Sequence, residues 1–133
     1  MTSPDRPLAA LALIAFAQGA TLIAYAVFDI VEAVRVGITG PAEVSNVPAV
    51  VTLVVITAVL GAGLVWIGVG WWRARRWARS PFVLAQLIGG FIGFELTQSD
   101  GSVERTVGIA LVVVALLGLV LSFAPAVNRR LVD

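Results

Sequence analysis

The chain of 133 residues has no cysteine, no histidine and no lysine, and its one methionine is Met1. Without cysteine there is no disulfide, no thiolate metal site and no thiol nucleophile. Without histidine there is no His-centred zinc site and no imidazole acid or base, and haem ligation by His, Cys or an internal Met is excluded as well. Charge is also scarce, at 13% of residues, where soluble domains carry about a quarter. The formal net charge is +1, so no bulk basicity points to nucleic acid. All nine basic residues are arginine, a compositional hint of a GC-rich genome without a physical argument behind it. No nucleophile–base pair, phosphate loop or metal constellation is visible, so the sequence predicts no catalytic residue, no cofactor and no metal, and not an enzyme.

What is present is apolar. Hydrophobic residues make up 59% of the chain and the mean hydropathy is +1.00. So few charges cannot cover so much apolar surface in water, which makes lipid the expected solvent. Leu8–Phe28 is an uncharged run of 21 residues, Val47–Trp72 of 26 and Thr106–Ala124 of 19; Pro81–Phe94 is apolar apart from Gln86. A bilayer core of roughly 30 Å needs about 20 helical residues. The runs lack the apolar/polar alternation of barrel strands. The expectation is an all-α, polytopic membrane protein: one domain, 1–133, forming an antiparallel four-transmembrane-helix bundle. Its helices are expected at about 8–34, 47–72, 81–97 and 104–124. Ala15-Phe16-Ala17 resembles a signal-peptidase site, but apolar sequence continues to Phe28, so the run is read as a retained span.

Boundary chemistry supports these spans. Ser80-Pro81 suits an N-cap followed by proline at the first helical position. Asn46 suits a cap for the second helix, and Ser102 one for the fourth, with Glu104 in the first turn. Asp100-Gly101 signals a tight turn, and Pro125 is read as closing the fourth helix.

Arginine bias sets the orientation. Arg6, Arg73, Arg75, Arg76, Arg79, Arg129 and Arg130 fall at one set of helix ends, against Arg35 and Arg105 at the other. Seven against two predicts N-in/C-in: both termini and the 73–80 loop in the cytoplasm of a bacterium, with the chain multi-pass in its plasma membrane. Asp29, Glu32, Glu43, Glu95, Asp100 and Glu104 fall on the outer side.

Each helix carries a plausible inner seam, because helices in lipid associate through small residues and a few hydrogen bonds. The first has a polar stripe, Gln18, Thr21, Tyr25, Asp29 and Glu32, within about an 80° arc. The second has Thr57, Gly61 and Gly68. The third has Gln86, Gly90, Gly93 and Thr97, with Gly89-x-x-x-Gly93 as a small-xxx-small pair. The fourth has Gly108, Ala115 and Ser122 at heptad spacing. The stripe is expected to face the bundle, since polar groups turned to lipid are costly.

The stripe is also the best candidate for a proton or cation path. Depth argues for a structural role instead. Counted from Leu8, Gln18 lies about 15 Å in, near the midplane, whereas Asp29 lies about 31 Å in, at the outer interface. Small multidrug-resistance transporters are also four-helix proteins of similar length, with an essential glutamate midway along the first helix. The comparable depth here holds Gln18, an amide, and that departure removes the family assignment. Glu95 lies opposite Gln86 and reads as a rim carboxylate or a subunit contact.

Residues 71–81 read WWRARRWARSP. Trp66, Trp71, Trp72 and Trp77 cluster at the cytoplasmic end of the second helix, beside Arg73, Arg75, Arg76 and Arg79. Indoles favour the headgroup zone, and anionic lipid attracts juxtamembrane arginine. If the helix continues, Arg73 and Trp77 stand at i,i+4 for a cation–π contact. The expected partners are the bilayer, its anionic headgroups, and other membrane subunits or a second copy. A loop of about eight residues on a membrane offers no groove or stacking platform for nucleic acid. The segment RARRWARSPFVLAQL, Arg73–Leu87, resembles a motif of small uncharacterised four-helix integral membrane proteins of actinobacteria, in which a basic, tryptophan-containing turn leads into proline and an Ala/Thr-Gln pair. The resemblance implies the host and the four-span layout and brings no activity with it. The function expected is therefore a structural or accessory membrane subunit, with a small oligomeric transporter or channel as the alternative.

Overall fold

A computed structural model describes residues 6–37 and 47–132. Asn46 and Glu43, named above as a cap and an outer acid, lie outside the described residues. The elements are α1 (Arg6–Arg35), α2 (Val47–Trp72), a 3₁₀ turn (Arg76–Ala78), α3 (Arg79–Thr97), α4 (Ser102–Ser122) and α5 (Pro125–Arg130). The chain is all-α. Among the described residues the one extended pairing is an isolated parallel bridge between Arg75 and Val132.

Among the described residues, four helical segments are long and apolar enough to cross a membrane. Only 17–28% of each span's most apolar window is buried within the chain. Much of the rest is exposed apolar surface, as expected where lipid is the solvent. In such a solvent helices are the natural solution, because each backbone N–H and C=O must be satisfied internally. That constraint overrides the β-preference of Val-rich α2. These features are those of a multi-pass membrane protein.

Helix ends differ from expectation in instructive ways. The span expected at 8–34 covers Arg6–Arg35, and Gly37 after it takes φ +90°, the left-handed geometry glycine adopts without a Cβ penalty. The span at 81–97 starts earlier, at Arg79, with Ala78 rather than Ser80 at the N-cap. Pro81 then sits in the first turn, where its missing N–H costs no helical bond. The span at 104–124 runs from Ser102 to Ser122, and its N-cap is Gly101. The Glu104 carboxylate folds back over Gly101, into the space a Cβ there would fill. Pro125 does not merely end α4; it opens α5 in the first turn, behind Ala124 as N-cap.

The chain divides into two compact units, Phe16–Trp66 and the pair of segments Met1–Ala15 with Ile67–Asp133. In the first, the α1 and α2 backbones touch. A Cβ on Gly19 would stand 2.6 Å from the Gly61 carbonyl oxygen, and one on Gly61 would stand 2.9 Å from that of Gly19. Gly19 also meets Val65, and Gly61 meets Ile23.

In the second unit α3 and α4 form an antiparallel hairpin. Gly93 meets the Gly108 carbonyl, Gly90 meets Ala115, and Gly118 meets Phe82 and Gln86. A Cβ on Gly93 would lie 2.8 Å from the Gly108 oxygen, and one on Gly108 would lie 2.5 Å from the Gly93 oxygen. Gly89 is different: a Cβ there would meet nothing within 4 Å. The close approach thus runs through Gly90 and Gly93, and Gly89 lies off that line. Gly68, Gln86, Gly108, Ala115 and Ser122 are buried. The largest fully buried side chains include Leu8, Leu11, Trp71, Phe82 and Val127, all in this unit.

Side chains added at the backbone contacts should separate the helices. Gly93→Leu is expected to lower stability by about 1–3 kcal/mol or more, whereas Gly89→Leu should change it by less than about 0.5 kcal/mol. Denaturant titration in detergent micelles, read by circular dichroism, measures the contrast.

Candidate functional site

The site is the turn from α2 to α3, and its geometry begins with how α2 stops. Ala74 takes φ 56°. Its N–H donates to the Trp71 carbonyl at 3.0 Å, and the Arg75 N–H donates to the Gly70 carbonyl at 2.8 Å. These are the two bonds of a Schellman cap, with alanine where glycine is usual. The helix therefore does not continue, and the i,i+4 contact expected between Arg73 and Trp77 gives way to another arrangement. The cation–π contact goes instead from Arg79 to Phe123, with the guanidinium carbon 5.6 Å from the ring centroid.

Beyond the cap, Arg75 is extended, at φ −87° and ψ 129°, and pairs with the C-terminal tail. The Arg76 N–H donates to the Val132 carbonyl, and the Val132 N–H donates to the Ala74 carbonyl, both at 2.8 Å. Arg76 Nη2 donates to the Leu131 carbonyl at 3.1 Å. Arg79 reaches α4 and α5: its Nε donates to the Ser122 carbonyl and its Nη2 to Asn128 Oδ1, each at 3.1 Å. Ser122 is the last residue of α4, so its carbonyl has no partner within the helix. A cation at that position also favours the negative end of the helix dipole.

The tryptophans divide. Trp71 is fully buried and meets Phe82 edge-on, with ring centroids 5.4 Å apart. It is core, not part of a lipid belt, because packing on Phe82 fills the space inside the turn. Its Nε1 hydrogen is buried without a protein acceptor, which costs about 1–3 kcal/mol and is outweighed by the apolar burial of so large a ring. Trp77 folds back onto α2, where its Cζ2 would stand 2.8 Å from a Cβ on Gly70. Trp72 and Trp77 each stay 43% exposed, and Trp66, in the other unit, is 63% exposed. Arg73 and Arg75 are exposed. Of the residues expected to touch lipid or partner, Trp71 is inside, Arg76 and Arg79 hold the tail and α4, and Trp66, Trp72, Arg73, Arg75 and Trp77 face outward.

Thr21 and Tyr25, the middle of the polar stripe of α1, do not line the helix seam. Gly19 is buried and Ala26 is 3% exposed, whereas Thr21 is exposed and Tyr25 is 56% exposed. The middle of the stripe lies about 120° around the helix from Gly19. Gly19 sets the seam by letting the α2 backbone approach. Thr21 needs no neighbour for its hydroxyl, which donates to the Ala17 carbonyl at 2.7 Å. Gln18, Asp29 and Glu32 are partly exposed at the margin, and Asp29 Oδ2 is buried without a hydrogen-bond partner. Tyr25 lies 6.3 Å from Phe28, ring to ring. Glu95 is exposed.

Several residues of the site escape a sequence reading. Asn128 and Val132 act on the turn across more than 40 residues of chain. Proline at Pro125 is as good a helix start as a stop, and that ambiguity hid α5. Ala74 gives no signal, because glycine is the residue that marks a left-handed cap. Gly70 gives one, standing just before the turn. Among the described residues no three acidic side chains gather to hold a metal. The arrangement can fasten and present; it brings together no reacting groups.

Comparison with known proteins finds no matching family model, no similar curated protein and no similar solved structure.

Removing the fastening should be costly. Arg79→Ala loses two charge-assisted bonds and is expected to destabilise by about 2–3 kcal/mol, and Trp71→Ala by about 3–5 kcal/mol. Arg73→Ala, at an exposed position, should change stability by less than about 0.5 kcal/mol. Ala74→Gly should stabilise: relief of about 1–2 kcal/mol of left-handed strain exceeds the roughly 0.4–1 kcal/mol of added chain entropy in the unfolded state. Thermal unfolding of the four purified variants in one detergent ranks them.

Proposed function

We propose that this chain is a structural or accessory subunit of a bacterial cytoplasmic membrane, with four antiparallel transmembrane helices and both termini in the cytoplasm. It works by packing its helices against other membrane subunits and by presenting the α2–α3 turn at the cytoplasmic surface. The observation that carries this is the fastened turn. Hydrogen bonds to α4, α5 and the tail fix the backbone on which Trp72, Arg73 and Trp77 stand outward. Such a surface binds at low ordering cost. Tyr25 adds to it: it stands 56% exposed on an apolar helix, where a neighbouring subunit covers its hydroxyl better than lipid does. The arginine bias supports the orientation, and the likeness of Arg73–Leu87 to an actinobacterial motif supports the host.

The alternative, a small oligomeric transporter or channel, draws on one observation, the unpartnered Asp29 Oδ2. A path for ions would then follow the polar stripe of α1.

Because the chain has no cysteine, single cysteines report its orientation. Ser99→Cys is expected to react with a membrane-impermeant maleimide in intact cells, and Ala126→Cys only after lysis; the reverse pattern would overturn the N-in/C-in topology. Affinity purification from native membranes in mild detergent is expected to yield a stoichiometric complex with another membrane protein. A homo-oligomer with pH-dependent flux, abolished by Asp29→Asn with Glu32→Gln, would establish the alternative instead.

A further inference from the structure

We infer that the groove between the start of α3 and the end of α4 holds one anionic phospholipid, its phosphate on Arg79 and Ser80 and its upper acyl chain on Val83, Leu84, Leu87 and Phe123. The groove has a volume of 290 Å³ and is lined by these six residues. It is chemically two-ended. Arg79 and Ser80 stand together in the first turn of α3, and the other four side chains are apolar. Ser80, Val83, Leu84 and Leu87 follow one another at i, i+3, i+4 and i+7, one face of a helix. An occupant must therefore be charged or polar at one end and hydrocarbon at the other.

The sign of its charge follows from Arg79. A guanidinium has five N–H donors. In Arg79, Nε and Nη2 each make one bond, to the Ser122 carbonyl and to Asn128 Oδ1, and both acceptors are uncharged. Among the described residues no carboxylate pairs with this cation. Glu95, Asp100 and Glu104 lie at the opposite end of the α3–α4 hairpin. Nη1 and the second Nη2 hydrogen are left for an anion, and a planar guanidinium suits phosphate oxygens. The two bonds already made fix the side chain, so little rotamer entropy is lost when phosphate arrives.

Size and place favour a lipid over a free small molecule. The volume lies just under the roughly 300–1,000 Å³ of enclosed ligand pockets, and the groove is open along a helix face, so it suits the glycerol end and first methylenes of a lipid whose remaining chain continues in the bilayer. Exposed Trp72 ends α2 and exposed Trp77 lies in the turn that leads into α3, and indoles favour headgroup depth.

The inference rests on the membrane reading and not on the accessory role, and the experiment separates the two. The full-length chain, recovered from the membrane fraction, is examined by native mass spectrometry in mild detergent. Phosphatidylglycerol and phosphatidylcholine with identical acyl chains are the probes, with inorganic phosphate as a third arm. One phosphatidylglycerol is expected to be retained at about fivefold lower concentration than phosphatidylcholine, the preference a single juxtamembrane arginine supports. Arg79→Gln should abolish that preference. Leu84→Trp fills the groove from a position 59% exposed, outside the core, and should displace the lipid while leaving the melting temperature unchanged. Equal retention of both lipids, retention unaffected by Leu84→Trp, or displacement by millimolar inorganic phosphate would overturn the site. A chain absent from the membrane fraction would overturn the membrane reading beneath it.

Discussion

The carbonyls at the ends of α2 and α4 have no partner within their helices, and both find donors in the turn between α2 and α3. Gly70 and Trp71 are served by Arg75 and Ala74, and Ser122 by the guanidinium of Arg79. Backbone groups left bare near hydrocarbon cost several kcal/mol each. The chain therefore accepts a left-handed alanine, an unusual residue for that place. Once Ala74 turns the chain, Arg75 is extended, Arg76 meets the tail, Trp77 folds over Gly70 and Arg79 reaches α4. Trp71 is enclosed by the same movement, against Phe82.

Two kinds of contact divide the molecule. Where Gly19 meets Gly61 and Gly93 meets Gly108, backbones touch without side chains between them, the usual way helices associate in lipid. Around the turn, packing resembles a soluble core: an aromatic pair, an aliphatic set and a cluster of long-range hydrogen bonds. A membrane-facing surface and a fastened end then coexist in one small chain. The surface is made of exposed apolar helix faces, and the fastened end carries exposed indole and arginine side chains.

The four spans were legible because hydropathy over about 20 residues is a strong and local signal. The span of α2 was legible to the residue, since no charge interrupts it between Val47 and Trp72. The role of the turn was legible only in part. Composition marks Trp and Arg as interfacial, but whether an indole is outside, like Trp77, or inside, like Trp71, depends on the backbone reversal at Ala74, and alanine announces no such reversal. The partners of Arg76 and Arg79 lie 55 and 43 residues away in sequence, beyond any periodicity. Thr21 and Tyr25 in the stripe of α1 misled for a related reason. Polar side chains predict a buried face only when they need partners, and Thr21 finds its own one turn back, while the small Gly19 decides where α2 lies.

Backbone hydrogen exchange tests the tail-fastened turn most directly. In lipid nanodiscs the Arg76 amide should exchange slowly, because it donates to the Val132 carbonyl. Truncation after Ala124 should make Arg76 exchange fast while leaving Arg75, bonded to Gly70 within the α2 cap, protected. An Arg76 amide that exchanges as fast in the intact chain as in the truncated one would contradict the fastening, and with it the fixed surface on which the proposed role depends.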